Sequence, residues 1–253
     1  MSKKRKIIFW VSIVIAAACI GYLVYYFVGQ AQRGNVYDNL QEEAIVPEGD
    51  GEIAKPEAPE QVEIPIDFAS LQAQYPDLYA WIEIPGTNVA YPIMQSSSDN
   101  AYYLNYTIDG VNGLPGSIYT EYYNTKDFTD FDTVIYGHNM LDDSMFGGLD
   151  NYHDINYLNE HRQIIIYTPT NIRTYQIFAA VTYDDRHILM DFNFQDAEQR
   201  QAYINSITSL ASDTNHVLND VTVTPDSKLI TLSTCTDDPT SRYLIEAVLV
   251  DEK

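Results

Sequence analysis

The sequence predicts a mostly β domain with added helices, a closed or nearly closed antiparallel barrel of eight strands, set behind an N-terminal membrane-spanning helix. Three observations carry this expectation. Residues 7–28, IIFWVSIVIAAACIGYLVYYFV, form an uncharged run of 22 positions. Eight short β-prone runs follow residue 67, each bounded by turn residues. Only one stretch among them, at 195–211, has helical periodicity over several turns.

Taken in order, the chain begins with a basic tail, residues 1–6, in which Lys3, Lys4, Arg5 and Lys6 hold four of the protein's 14 bases. The apolar run that follows is long enough to cross a hydrocarbon core of about 30 Å as a helix. A basic flank on its N-terminal side places the N-terminus in the cytoplasm and the rest outside, as a single-pass membrane protein. A cleaved signal peptide is the rival, but its apolar region is shorter and ends in a small-residue cleavage site. The Ala16–Cys19 string weakly resembles a lipoprotein processing site, yet the apolar run continues well past it. Residues 29–66 are rich in Glu, Pro and Gly, which predicts an acidic, partly extended stalk; a helix around Tyr37–Ala44 is compatible with it. Residues 67–253 form the folded domain, long enough for a proper core.

Within that domain the strand candidates are WIEI at 81, VAYPIM at 89, GSIYT at 116, TVIYG at 133, QIIIYT at 163, TYQIFAAVTY at 174, KLITLST at 228 and YLIEAVLV at 243. Shorter helical signals lie at 68–79, 98–104 and 142–158. In the 195–211 stretch Ala202, Ile204, Ile207 and Leu210 fall near one stripe, with Asp196 as the cap. A helix of that length between two strands is an insertion in the barrel.

Beyond residue 28 there are 36 acids and 10 bases, a net charge of −26. That field repels a phosphate backbone, so nucleic acid is not an expected partner. The simplest reading of the acidity is solubility. No P-loop, Gly-x-Ser-x-Gly elbow or His-Glu-x-x-His occurs, and neither a metal nor a cofactor is expected. The pairs Asp142–Asp143 and Asp184–Asp185 read as solvated charge in a chain this acidic.

Two cysteines, Cys19 and Cys235, do not make a disulfide framework, since Cys19 lies in the apolar run. Cys235 ends the strand LITLSTC, where alternation turns Leu229, Thr231, Ser233 and Cys235 to one face. The turn TDDPTS returns the chain to a strand that opens at Arg242. If the two strands pair, a thiol and a guanidinium meet, which favours a thiolate and supplies donors to an oxyanion. The same residues also fit a packed core thiol and a solvated arginine. A nucleophilic thiol needs a histidine. Of His138, His153, His161, His187 and His216, His138 stands apart because it ends the strand TVIYG. Gly137 before it is expected to permit a tight turn. Asp237 and Asp238 read as turn formers ahead of Pro239.

TVIYGHNM, LITLSTC and the downstream Arg242 together resemble the sortases, the cysteine transpeptidases of Gram-positive cell surfaces. The strings YPIMQ, DNAYYL, GSIY and GHNM within residues 91–140, with a helix between the histidine and cysteine strands, are similar to class B in particular. The resemblance spans about residues 67–250 and implies a sortase-type eight-stranded barrel. It implies Cys235 as nucleophile, His138 as general acid and Arg242 as oxyanion or substrate holder. Ser233 matches a class B serine that supports substrate binding, and Thr234 and Asn139 are further expected substrate contacts. The implied reaction cleaves a C-terminal sorting motif of exported surface proteins after Thr and passes the acyl group to an amine. That amine belongs to a peptidoglycan precursor or to a pilin lysine. Pilin polymerisation, plain hydrolysis by a surface cysteine protease, and a non-enzymatic binding module remain alternatives. The six-residue acidic turn 236–241 departs from the class B pattern.

Overall fold

The computed structural model describes residues 3–45 and 62–253. Met1 and Ser2 of the expected basic tail, and residues 46–61 of the expected stalk, lie outside the described residues. A single helix, α1 (Lys3–Glu43), carries the apolar run and continues well beyond it. From Trp10 to Val28 the side chains of that run are exposed, Trp10 by 64% and Tyr25 by 79%, and the helix is long and apolar enough to cross a membrane. Its last three turns are not part of an extended stalk. Tyr37, Leu40 and Ala44 are buried against the barrel, a stripe of i, i+3 and i+7 positions on one helix face. The helix that the sequence leaves room for around Tyr37–Ala44 is the end of α1.

Helix α2 (Phe68–Gln74) is capped by Asp67, whose carboxylate accepts from the Ser70 amide at 3.0 Å. It stops short of the expected residue 79 because Pro76 follows Tyr75. The residue before a proline is driven out of the helical region, and Tyr75 sits at φ −127°, ψ 82°.

The strands are β1 (Leu78–Glu83), β2 (Ala90–Met94), β3 (Ile118–Thr120), β4 (Asp132–Tyr136), β5 (Gln163–Tyr167), β6 (Ile172–Asp184), β7 (His216–Val217), β8 (Leu229–Cys235) and β9 (Ser241–Glu252). All eight expected runs are strands, and β7 is a two-residue addition against β6. Their order is β5-β1-β2-β3-β4-β8-β9-β6, and β6 pairs back onto β5 to close an eight-stranded barrel. The barrel is mixed rather than antiparallel: β2–β3 and β4–β8 run parallel. Parallel neighbours need a crossover. For the first pair it contains α3 (Tyr102–Asn105); for the second it contains β5, β6, α5 (Ile188–Asp191), α6 (Ala197–Thr208) and β7. A short 3-10 helix (Gly147–His153) and α4 (Ile155–Glu160) link β4 to β5.

Strand alternation divides the core in two. Ile135, Ile230, Leu232, Ile245 and Ala247 fill the barrel. Val134, Leu229, Leu244 and Val248 point outward and are covered by α6 through Tyr203, Ile204 and Ile207. Helix α6 is capped by Asp196 as expected, with Glu198 N donating at 2.8 Å. Its buried stripe is led by Tyr203, while Ala202 is exposed. The tyrosine wins that place because its hydroxyl reaches a polar site under the helix.

That site ties together the three strands β4, β8 and β9. Asp132, Thr231 and Glu246 are each 0% exposed. The Thr231 hydroxyl lies within hydrogen-bond reach of both carboxyl groups, 3.0 Å from Asp132 Oδ1 and 3.1 Å from Glu246 Oε2. Tyr203 donates to Glu246 Oε1 at 2.8 Å. No basic side chain forms an ion pair with either acid among the described residues, so burial favours their neutral forms. Desolvation pushes Glu246 well up, with Asp132 adding to it. It raises Asp132 from the ordinary 3.8 to about 7, against the opposing Thr231 bond. A group raised in the fold contributes stability that is complete below its unfolded value and lost as pH rises through its folded value. For Asp132 that window runs from 3.8 to about 7. The melting temperature of the wild type is therefore expected to fall more steeply between about pH 4 and 7 than that of Asp132→Asn. Parallel curves from thermal scans of both proteins would exclude the carboxyl as the cause.

Candidate active site

The parallel ladder between β4 and β8 sets the site. Its last registered pair is Tyr136 with Ser233, and Gly137 N donates to Ser233 O at 3.2 Å. Thr234 Oγ1 then donates to Gly137 O at 2.8 Å. One further step along both strands brings His138 abreast of Cys235. On the other side of β8, Cys235 is registered with Arg242 in the antiparallel ladder to β9. Directly paired residues share a face. The barrel rim thus presents His138, Cys235 and Arg242 on three neighbouring strand ends.

His138 is half-buried, and its Nε2 lies 2.7 Å from the Leu104 carbonyl oxygen. A carbonyl only accepts, so Nε2 carries the proton in this contact and Nδ1 is the ring nitrogen left for a partner. Gly116 supports the same ring. It adopts φ +65°, and a Cβ there would stand 3.1 Å from His138 Cδ2 and 2.7 Å from the Leu104 oxygen. Gly137 matters for a different reason than the tight turn expected of it. Its φ is not in the left-handed region. A Cβ at Gly137 would instead meet Ile118 Cδ1 at 2.5 Å and Phe146 Cδ2 at 2.6 Å.

Asn139 locks the turn after β4 to the end of β8. Its amide donates to the Cys235 carbonyl at 3.1 Å and to both Asp150 carboxylate oxygens. Thr234 is 2% exposed, with its hydroxyl spent on Gly137. Both residues, expected as substrate contacts, hold the His138 and Cys235 strand ends together.

The Cys235 thiol is exposed. On its face lies Ser233, 5% exposed, which with Arg242, Tyr136, Glu121 and His187 lines a cavity of about 150 Å³. His187 Nε2 pairs with Glu121 at 2.9 Å. Neither residue is prominent in the sequence: Glu121 directly follows β3 and His187 sits in a polar loop, and only the barrel's closure brings them to this groove. Arg242 Nη1 donates to the carbonyls of Ser241 and Pro239 at 2.7 and 3.1 Å, which holds the guanidinium at the mouth of the turn. Nearby, burial raises the Tyr119 phenol, helped by Glu121 and then Cys235, so a neutral ring faces the thiol side of the site.

The acidic turn is a self-contained loop. Asp238 Oδ1 accepts from the Thr240 hydroxyl at 2.7 Å and from the Thr240 amide at 2.9 Å, and these bonds hold its carboxyl below the usual range. Asp238 is a turn former, as the position before Pro239 implied. The remaining histidines have structural neighbours. His153 packs on Tyr243 with ring centroids 4.2 Å apart, His161 Nδ1 bonds the Pro85 carbonyl at 3.1 Å, and His216 Nε2 bonds the His153 carbonyl at 2.9 Å. Asp184 is paired with Arg186.

The space at Gly137 yields a direct test. Gly137→Ala forces Ile118 and Phe146 apart, and a destabilisation of about 1–3 kcal/mol is expected from overpacking. Denaturant unfolding measures it; wild-type stability would show that the strand end relaxes freely.

The sequence and fold were compared with known proteins. A family model described as the sortase domain matches residues 82–250. Sortase B of Listeria monocytogenes is 30% identical over 232 residues, covering 90% of this chain and 92% of that protein. Sortase B of Staphylococcus aureus is 29% identical over 195 residues, covering 72% of this chain and 74% of that one. The crystal structure of sortase B from Bacillus anthracis in complex with AAEK1 superposes with a TM-score of 0.73 at 27% identity, covering 89% of this chain and 99% of the other. With a parallel β4–β8 pair, an inserted helix and a lone rim thiol in the same frame, the chain belongs to the sortase family of cysteine transpeptidases, as a class B member.

Proposed function

We propose that this transpeptidase is tethered to the membrane by α1 and cleaves a C-terminal sorting motif of exported proteins after Thr, through a thioester on Cys235. The observation that carries this reading is the row of His138, Cys235 and Arg242 on adjacent strand ends. In the first step the Cys235 thiol passes its proton to His138 Nδ1, its sulfur attacks the Thr carbonyl carbon, and the C–N bond breaks. His138, through Nδ1, protonates the departing amine, while Nε2 stays bound to Leu104 O. Arg242 supplies N–H donors to the oxyanion that develops on the carbonyl oxygen. In the second step an amine attacks the thioester, His138 takes its proton, and the thiolate leaves. The acceptor is an amine of a peptidoglycan precursor or a pilin lysine. Ser233 and Arg242 line a small cavity that would take a side chain of the sorting peptide. The exposed apolar run of α1 and the basic residues before it support an anchor with its N-terminus in the cytoplasm and the barrel outside.

Mass spectrometry of products formed from sorting-motif peptides, with and without an added amine, tests the reaction. An amide-linked product is expected; hydrolysis alone with every amine tried would make the protein a protease. Cys235→Ala is expected to abolish cleavage, and unchanged processing would overturn the assignment. Arg242→Ala is expected to lower kcat about 100-fold with a smaller change in KM, as for loss of one oxyanion donor.

A further inference from the structure

The end of α1 touches the support of His138. Three polar side chains at i, i+4 and i+8 face the barrel and bond its backbone. Arg33 Nε donates to the Leu114 carbonyl, Tyr37 Oη to the Gly116 carbonyl, and Gln41 Nε2 to the Ala90 carbonyl at 2.8 Å. Tyr37 is the most committed of them. It is 2% exposed, accepts from the Ile108 amide at 3.2 Å, and lies 2.9 Å from Ser117 Oγ. Its ring packs edge-on against Tyr91 with centroids 6.0 Å apart.

These contacts converge on one short loop. Gly116, whose carbonyl accepts from the Tyr37 hydroxyl, backs both the His138 ring and the Leu104 oxygen that fixes the ring's tautomer. Ser117 N donates to Tyr103 O at 2.9 Å, joining the residue after Gly116 to the residue before Leu104. One residue therefore separates the Tyr37 hydroxyl from the imidazole and from its acceptor. The packing is tight enough that even a methyl at Gly116 would collide, so displacement of the Gly116 peptide is transmitted to His138 rather than absorbed.

We propose that Tyr37 is a positioning residue for His138, so that turnover depends on α1 being docked against the 104–117 loop. The inference rests on the reading of His138 as the general acid. It makes the tether more than an anchor: the helix that holds the enzyme at the membrane also completes the cradle of a reacting side chain. A barrel whose helix is pulled away keeps its strands and its thiol but loses the ring orientation. Misplacing a reacting group by a fraction of an ångström is enough to slow a step by an order of magnitude.

The test uses the full chain in detergent micelles and the variant Tyr37→Phe, which removes the hydroxyl and keeps the ring. Tyr79→Phe is the control, since Tyr79 is also buried and bonds Thr120 Oγ1 at 2.9 Å, away from the His138 loop. For a cleavable sorting-motif peptide, Tyr37→Phe is expected to lower kcat about tenfold with KM within about twofold of wild type. The rate at which a methanethiosulfonate reagent modifies Cys235 is read by mass spectrometry of the Cys235 peptide. It is expected to change in its pH profile for Tyr37→Phe and not for Tyr79→Phe. Equal kcat and equal modification profiles in the two variants overturn the proposal, as does a loss confined to KM. If the wild type cleaves no sorting peptide, the functional reading fails, while the modification profile still decides the role of Tyr37.

Discussion

The site depends on one parallel strand pairing. Because β4 and β8 run in the same direction, their C-terminal ends reach the same rim, and His138 and Cys235 leave it side by side. An antiparallel pairing would send them to opposite ends of the barrel. The pairing joins residues about a hundred positions apart, so everything inserted between them, from the 3-10 helix to β7, is the crossover that a parallel pair needs. The β8–β9 hairpin then adds Arg242 with only a turn between. Two strand relations, one distant and one local, assemble the three residues.

A buried polar knot stabilises that same trio of strands. Asp132, Thr231 and Glu246 come from β4, β8 and β9, several residues before or after the candidate reacting groups, and Tyr203 closes them over from α6. Uncompensated buried acids are costly when charged. Burial therefore favours the neutral carboxyls, and the Thr231 and Tyr203 hydroxyls bond them across β4, β8, β9 and α6. The inserted helix both covers the outer face and follows the loop that carries His187 to the groove.

At the other end of the chain, α1 joins two environments. Its exposed apolar run fits lipid, while Tyr37, Leu40 and Ala44 fit the barrel. The backbone bonds made by Arg33, Tyr37 and Gln41 set the helix against the loops around β2 and β3. Helix α1 is thus continuous with the folded domain at a place next to His138.

By itself the sequence determined the eight barrel strands, the capped helix at Asp196 and the apolar run, and it singled out His138, Cys235 and Arg242 as candidates. These depend on local alternation, capping chemistry and short strings, which neighbouring residues alone define. Cys235 and Arg242 were legible as a pair because a hairpin sets its own register. The resemblance to sortases pointed to His138, since no local rule joins it to Cys235. Only the tertiary structure decided the rest: the parallel direction of β4 and β8, the burial of Asp132 and Glu246, the Glu121–His187 pair in the groove, and the docking of Tyr37. Thr234 and Asn139 likewise proved to be ties between strand ends, because burial and hydrogen-bond partners, not sequence proximity to Cys235 and His138, fix where a side chain points. Each of these joins residues far apart in the chain, and nothing local in an amino-acid string records which distant backbone its side chains will meet.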